Sequence, residues 1–414
     1  EYDGRAVVEL QKLAEQGDSR AQCTLGLMYF DGRGVPQDHA RALMWFRKAA
    51  QGGNAEAQFN LGIMYYKGVG VDRNCEEAAR WFLSSAALGY VKAQTNIAYM
   101  YASGVGVEQN RTEAERWYRR AALKGDVEAQ RQLGNIYFHG EGVAQDHKEA
   151  SYWYVKAASQ GDTESQAALG DMYSRGLGVK KNAAEAVSWY RAAALQGNVH
   201  AQTRLGTIYL NGEDVPQDLG ESACWFRMAA EQGNKVAQGF VGYFYENGLG
   251  LRRDYAEAAR WYELAAEQGD AVIQFNLGRM YARGLGVPQS YEEAARWYRK
   301  SAEQGYDKAL YHLGVLFTKG LGVPKDYTQA YLYFTLASQK GVQHAAARGF
   351  EQFRHGSVQA RVDTDGQQLD AVADQAGLAG GGLPGGGHAD HEVLAPREAG
   401  EQRAVHREEG DEQA

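Results

Sequence analysis

The sequence predicts an all-α protein, a solenoid of nine 36-residue repeats with two helices in each. Three observations lead to this prediction. One segment recurs every 36 residues without insertion or deletion, tryptophan recurs in the same register, and the apolar residues of each repeat follow two helical patterns in succession. The chain is therefore expected to bury its apolar surface by stacking neighbouring repeats.

The repeat is visible by direct comparison. The segment "AQFNLGIMYYKGVGV" at Ala57 recurs as "AQTNIAYMYASGVGV" at Ala93 and as "IQFNLGRMYARGLGV" at Ile273. The nine units begin at residues 21, 57, 93, 129, 165, 201, 237, 273 and 309, and together they cover 21–344. Residues 1–20 are interpreted as the second half of a preceding unit, an N-terminal cap, because "RAVVELQKLAEQGD" parallels "RALMWFRKAAQGGN".

Tryptophan is the strongest indication that the repeat is structural. All eight tryptophans occupy one repeat position, and a tyrosine fills it in the ninth unit: Trp45, Trp81, Trp117, Trp153, Trp189, Trp225, Trp261, Trp297 and Tyr333. Tryptophans with separate functional roles would not keep one register. We therefore predict that this side chain packs between successive units, since large aromatic residues dominate core energetics.

Two helices are predicted in each unit. In the second unit the first helix presents one apolar face and the second helix presents another: Ala57, Leu61, Met64 and Tyr65, then Ala78, Trp81, Phe82, Ser85 and Ala86. A glycine follows every second helix and suits the left-handed backbone that ends a helix: Gly53, Gly89, Gly125, Gly161, Gly197, Gly233, Gly269, Gly305 and Gly341.

Each second helix is expected to begin after a residue that favours the N-cap: Asp38, Asn74, Asn110, Asp146, Asn182, Asp218, Asp254, Ser290 and Asp326. A glutamate stands three residues later in seven units: Glu77, Glu113, Glu149, Glu185, Glu221, Glu257 and Glu293. This spacing is that of a capping box, in which the glutamate bonds back to the N-cap backbone N–H.

A glycine pair between the two helices of each unit raises the alternative of a phosphate-binding loop. A dinucleotide or P-loop fingerprint must follow a β-strand, whereas this pair follows a helix in every unit, as at Gly284 and Gly286. In the sixth unit Asp214 replaces the second glycine, and its negative charge would spoil a phosphate cradle. We therefore interpret the glycines as a turn between paired helices.

Composition and motifs argue against several classes of function. The net charge of −8 and a pI near 5.8 argue against a nucleic-acid-binding protein, which usually carries a basic face. No run of roughly 18 apolar residues occurs, so no transmembrane helix is expected. The three cysteines lack zinc-like spacing, and neither HExxH nor G-x-S-x-G occurs. We predict no catalytic residue, no metal site, no cofactor and no enzyme activity.

The repeated pattern resembles the Sel1-like repeat (SLR) family, a class of α/α repeats related to tetratricopeptide repeats. The resemblance covers about 1–345, and the eighth unit carries its motif at Leu277, Gly278, Tyr281, Gly284, Gly286, Val287, Ala294, Trp297, Tyr298, Ala302 and Gly305. The resemblance implies a right-handed superhelix whose first helices line the concave side, and a role as an adaptor or scaffold. Many bacterial members are exported, which favours a periplasmic or secreted location; a cytoplasmic location stays open.

Three positions on each first helix, at i, i+3 and i+7, lie off the packing face and vary most among the units; we call these positions the stripe. If the stripe is concave, it is the expected partner-binding surface, and its candidate residues are Asn60, Lys67, Asn96, Tyr99, Gln132, Asn135, His139, Arg175, Arg204, Asn211, Tyr243, Asn247, Asn276, Arg279, Arg283, His312 and Lys319. Six of the stripe residues are cations and two, Asp31 and Asp171, are acids, so its charge opposes that of the chain.

Two functions fit this surface. The favoured one is a protein-interaction scaffold that binds an extended or helical segment of a partner, with an acidic element near Arg204 to Lys319, because asparagine can bridge a peptide backbone and arginine can clamp carboxylates. The alternative is an envelope protein that binds peptidoglycan or another glycan, which would require exposed aromatic platforms. An ordinary solvated helix face is the third interpretation.

The repeat pattern ends after residue 344. We expect residues 345–360 to form a C-terminal capping helix. Residues 361–414 include "AGGGLPGGG" and an acidic end, and are expected to be a disordered tail rich in Gly, Ala and Glu.

Overall fold

The computed structural model describes residues 4–212 and 215–342 and the single positions 345 and 348. These residues form nineteen helices and no strand. Helix α1 (Gly4–Glu15) precedes nine helix pairs. The first helices are α2 (Ser19–Asp31), α4 (Ala55–Lys67), α6 (Val91–Ser103), α8 (Val127–His139), α10 (Thr163–Arg175), α12 (Val199–Asn211), α14 (Lys235–Asn247), α16 (Ala271–Arg283) and α18 (Asp307–Lys319). The second helices are α3 (His39–Gln51), α5 (Cys75–Ala87), α7 (Arg111–Leu123), α9 (His147–Ser159), α11 (Ala183–Leu195), α13 (Leu219–Glu231), α15 (Tyr255–Glu267), α17 (Tyr291–Glu303) and α19 (Tyr327–Gln339).

Every helix packs against the helix before it and the helix after it in the chain, which confirms the predicted α/α solenoid. The tryptophan of each unit packs as the sequence predicts. Trp225 on α13 contacts the cluster of Tyr190 and Leu205, and Trp297 on α17 contacts the cluster of Tyr262 and Leu277. Each tryptophan therefore joins the second helix of the preceding unit to the first helix of its own unit.

The predicted N-caps of the second helices all accept a backbone hydrogen bond, for example Asp38 from the N–H of Arg41 and Ser290 from the N–H of Glu293. The capping-box prediction is wrong in its second half. The N-cap N–H of Ser290 donates to the carbonyl of Tyr281 on the first helix, at 3.0 Å, and the same bond recurs in every unit. The glutamates are therefore free for other partners: Glu77 binds Arg80, and Glu149 accepts from the indole N–H of Trp153.

The glycine pair is the predicted turn, and its second member has a packing role between units. Gly286 has φ +71°, and a Cβ there would lie 2.0 Å from the carbonyl oxygen of Tyr255, the first residue of α15 in the preceding unit. The loop thus packs directly on the start of the neighbouring second helix, which only glycine permits. Asp214, which replaces this glycine in the sixth unit, lies outside the described residues.

A ladder of buried glutamines, which the sequence analysis did not anticipate, links successive units. In eight units the side-chain amide of a first-helix glutamine donates to the carbonyl eight residues earlier, at the end of the preceding second helix: Gln22, Gln58, Gln94, Gln130, Gln166, Gln202, Gln238 and Gln274, at 2.9–3.2 Å. The last five of these accept in turn from a second glutamine, at 2.8–2.9 Å: Gln160, Gln196, Gln232, Gln268 and Gln304. Each of these carbonyls also accepts the backbone N–H of the glycine three residues later, so the ladder adds a second hydrogen bond at each helix end.

At the N-terminal end, α1 packs on α2, and Val7 and Ala14 join the core of the first unit. At the other end, Ala345 is buried against the last helix pair, and the guanidinium of Arg348 lies 5.5 Å from the ring of Tyr311. The rest of the expected capping helix at 345–360 and the expected tail at 361–414 lie outside the described residues.

Candidate partner-binding surface

All stripe residues lie within the described residues, and the third stripe position is exposed in every unit. The first and second positions are partly buried, except for Tyr99, which is 50% exposed. Successive first helices approach one another closely at α2–α4, α8–α10 and α10–α12, whereas no two second helices of the described chain come as near. In a curved stack the inner row is the more closely spaced one, which supports a concave position for the stripe.

Four cations of the stripe are exposed and form no ion pair with any described residue: Lys67, Arg175, Arg283 and Lys319. All four occupy the third stripe position, in the last turn of a first helix. A cation there also interacts favourably with the helix dipole. Their ammonium and guanidinium groups are therefore available to an anionic partner.

The other two cations of the stripe have internal partners. On α12, the Nε of Arg204 lies 3.7 Å from the carboxylate of Asp171 and 3.4 Å from the hydroxyl of Tyr190. Tyr190 donates to Asp171 at 2.6 Å, and the Nε2 of His200 lies 3.0 Å from the same carboxylate. Burial would raise the pKa of Asp171, but the hydrogen bonds from His200 and Tyr190 and the charge of Arg204 hold it below its usual value.

Arg279 on α16 has a similar partner, Glu246 on α14, which is only 8% exposed. The second carboxylate oxygen of Glu246 accepts from the hydroxyl of Tyr262 at 2.9 Å. Burial, followed by the charge of Glu246, raises the pKa of Tyr262 well above its usual value. Arg204 contacts both Asp171 and Tyr190 of the preceding unit, and Arg279 contacts Glu246 of the preceding unit, so both arginines link neighbouring units.

Sequence reasoning missed Glu246 because it lies outside the three stripe positions. Its signal was present: Glu246 is the only acid at its repeat position, where the other units carry Phe30, Tyr66, Ala102, Phe138, Ser174, Leu210, Ala282 and Thr318. An acid at a position that is otherwise mainly apolar indicates a specific partner, since a buried charge without one is costly.

The polar amides of the stripe are partly engaged by the protein itself. The amides of Asn96 and Asn247 donate to carbonyls of their own helices, at 2.8 and 2.9 Å, so one N–H of each is already engaged. The oxygen of Asn135 accepts from Tyr154 at 2.7 Å. Gln132 donates to Glu128 at 2.7 Å. The stripe therefore offers a peptide backbone fewer free donors than the sequence suggested.

The aromatic side chains of the stripe do not form the exposed platforms that glycan binding would require. Tyr99 is exposed, whereas Phe240 stacks on Phe226 at 4.4 Å and Tyr243 is half-buried. His312 packs among the rings of neighbouring aromatic residues. Burial, followed by the charges of Arg283 and Arg279, lowers the pKa of His312, which favours the neutral ring.

Within the described ranges, no three His, Cys, Asp or Glu side chains converge as a metal site requires. None of the helices in those ranges is long and apolar enough to cross a membrane.

The Sel1 repeat family model matches the chain nine times, at residues 19–54, 55–90, 91–126, 127–162, 163–198, 199–234, 235–270, 272–306 and 307–342. The crystal structure of c5321, a protective antigen present in uropathogenic Escherichia coli that displays an SLR fold, is 34% identical with a TM-score of 0.62; the match covers 90% of this chain and 86% of that chain. A Sel1 repeat protein from Oxalobacter formigenes is 32% identical with a TM-score of 0.61, covering 74% of this chain and 90% of that chain. No curated protein sequence matches the chain significantly.

Proposed function

The chain belongs to the Sel1 repeat family, whose members are generally non-enzymatic scaffolds for protein interactions, and on that premise we propose that its stripe binds an acidic segment of a partner protein. The observation that carries this proposal is the set of four exposed, unpaired cations at the ends of the first helices. A partner lying along the stripe meets such a charge in units two, five, eight and nine, where Lys67, Arg175, Arg283 and Lys319 stand.

The internal ion pairs narrow the expected contact. Arg204 and Arg279 are paired with Asp171 and Glu246, so these arginines contribute to the shape of the stripe more than to its free positive charge. Arg283 and Lys319 lie in consecutive units and form the densest free positive charge. An acidic side chain of the partner therefore contacts Arg283 and Lys319, and hydrogen bonds with the side-chain amides of the stripe support the rest of the segment.

Charge reversal tests this proposal in the full-length chain. Arg283→Glu combined with Lys319→Glu changes the stripe, whereas Lys148→Glu combined with Lys156→Glu makes the same change in net charge on the second helix α9. Proteins captured from an extract of the source organism are identified, and the affinity of the purified partner is measured at two salt concentrations.

We expect the stripe variant to lose about tenfold in affinity, or about 1.4 kcal/mol, and much of its salt dependence, while the α9 variant keeps both. If the stripe variant binds the partner as tightly as the unmodified chain does, the stripe is not the binding surface.

A further inference from the structure

A groove of about 540 Å³ lies between α5 and α6 and the loop that follows α6, and it contains no stripe residue. Its floor is apolar, with Leu83, Ile97 and Val107, and the ring of Tyr101 forms one wall. Glu76 and Glu108 stand at its rim, are exposed, and form no ion pair with any described residue. The groove therefore combines an apolar floor with an acidic rim.

The equivalent space one unit later, between α7 and α8, is filled by the protein itself. The Nε of Arg119 donates to Glu115 at 2.7 Å, and the hydroxyl of Tyr137 donates to the same carboxylate at 2.8 Å. The guanidinium of Arg119 also lies over two rings, 5.6 Å from that of Tyr137 and 5.8 Å from that of Trp153. An arginine side chain is thus what this place in the repeat accommodates.

Two other units repeat the arrangement. Arg47 donates to the hydroxyl of Tyr65 at 2.7 Å, and Arg191 donates to that of Tyr209 at 2.9 Å. Arg191 also lies over the ring of Trp225, at 5.8 Å. The tyrosine and the tryptophan of the repeat therefore form a recurrent site for a guanidinium.

The second unit lacks this arginine. Leu83 stands where Arg119 stands one unit later, and Ala79 stands where Glu115 stands. The hydroxyl of Tyr101, the counterpart of Tyr137, forms no hydrogen bond with the described residues. Both replacements shorten or neutralise the side chain, and together they leave the groove open with its aromatic wall in place.

The charge around the groove favours a cation. Arg80, the positive residue of the lining, is already paired with Glu77 at 2.8 Å. Glu113 does not line the groove and is paired with Arg116, which leaves Glu76 and Glu108 as its free carboxylates. We propose that this groove binds an arginine side chain of a partner protein, with its guanidinium against Tyr101 and facing the carboxylates of Glu76 and Glu108.

This site is independent of the proposal for the stripe, because no stripe residue lines it and it selects the opposite charge. A scaffold with both surfaces binds an acidic segment along the first helices and a basic residue at the groove between the second and third units. Guanidinium stacking on an aromatic face and hydrogen bonding to carboxylates make arginine the better ligand than lysine here.

The test uses the full-length chain with labelled Ile, Leu and Val methyl groups, titrated with the blocked tripeptide acetyl-Gly-Arg-Gly-amide and observed by NMR. The methyl groups of Leu83, Ile97 and Val107 report on the groove. We expect saturable shifts confined to these methyl groups. We also expect the neutral analogue with citrulline in place of arginine to bind at least tenfold more weakly, and Glu76→Gln combined with Glu108→Gln to weaken binding of the arginine peptide at least threefold.

Leu83→Arg restores the side chain that fills this place in other units, and it should abolish the shifts of Ile97 and Val107. Val155→Arg makes the same change of charge at the equivalent, exposed position two units later and serves as the matched control; it should leave binding unchanged. Equal binding of the citrulline peptide, or binding that survives in the Leu83→Arg chain with its fold intact, would overturn the proposal.

Discussion

The glutamine ladder is incomplete in the second unit, and this gap predicts a stabilising substitution. The side-chain oxygen of Gln58 is buried and has no hydrogen-bond partner among the described residues. In later units the corresponding oxygen accepts from a glutamine 30 residues further along, as Gln202 does from Gln232 at 2.9 Å. The residue 30 positions after Gln58 is Leu88, so Leu88→Gln should supply the missing donor.

The size of the effect follows from both ends of the new bond. A net protein hydrogen bond contributes about 1 kcal/mol, and a buried acceptor without a partner costs about 1–3 kcal/mol. Little is lost in exchange, because the side chain of Leu88 is 58% exposed and its removal uncovers little apolar surface. We therefore expect Leu88→Gln to raise the free energy of unfolding by about 1–2 kcal/mol.

The assay must report on the second unit, because a solenoid of this length is not expected to unfold in one step. Hydrogen exchange of peptides from α4 and α5, followed by mass spectrometry, measures the local opening free energy, and urea denaturation gives the global midpoint. Protection should increase in Leu88→Gln.

The control removes the acceptor by the substitution Gln58→Leu. Leucine is the natural residue at this repeat position in the ninth unit, where Leu310 stands. In the Gln58→Leu background, the glutamine introduced by Leu88→Gln has no side-chain oxygen to bind, and the gain in stability should vanish. An equal gain in both backgrounds would refute the hydrogen-bond reasoning and would indicate an effect of the substitution at Leu88 alone.

Three further predictions concern stability. Gly286→Ala and Gly269→Ala both place alanine at a positive φ, but a Cβ meets the Tyr255 carbonyl at 2.0 Å only at Gly286. In denaturation experiments we expect the free energy of unfolding to fall by about 1–2 kcal/mol for Gly269→Ala and by at least about 2 kcal/mol more for Gly286→Ala; equal losses would exclude a packing role for the loop. Arg279→Leu leaves Glu246 buried without its cation and should lower the free energy of unfolding, measured by urea denaturation, by about 2–4 kcal/mol. Arg283 is exposed, so Arg283→Leu should change this free energy by less than about 0.5 kcal/mol. Similar effects of the two substitutions would contradict the assignment of Arg279 to the interior. The pKa of Asp171 is lowered in the folded chain, so its stabilising contribution is complete above its unfolded pKa of about 3.9 and is lost as the pH falls through the folded pKa. The difference in stability between the unmodified chain and Asp171→Asn should therefore shrink when denaturation is repeated from pH 6 towards pH 3. A constant difference would contradict this role of Asp171.

Much of the local structure could be predicted because it depends on residues close together in the chain. The caps at Asp38 and Ser290, the helix-ending glycines and the turn at Gly286 each need only a few neighbouring residues, and the repeat displays them many times. The second half of the capping-box prediction was wrong because it depends on a contact between two helices. The N-cap N–H has a competing acceptor, the Tyr281 carbonyl, which comes into reach only when the two helices of a unit pack side by side.

By itself, the sequence of this protein determined its period, its helices and the side of each first helix on which variable residues lie, because repetition exposes any position that packing keeps constant. Only the tertiary structure decided which charges are free. Arg279 and Arg283 are four residues apart, yet one meets Glu246 from the preceding unit and the other meets solvent. The groove beside Leu83 is likewise defined by what neighbouring units place around it. Electrostatic and packing energies depend on distance in space, and that distance is set by how the units stack.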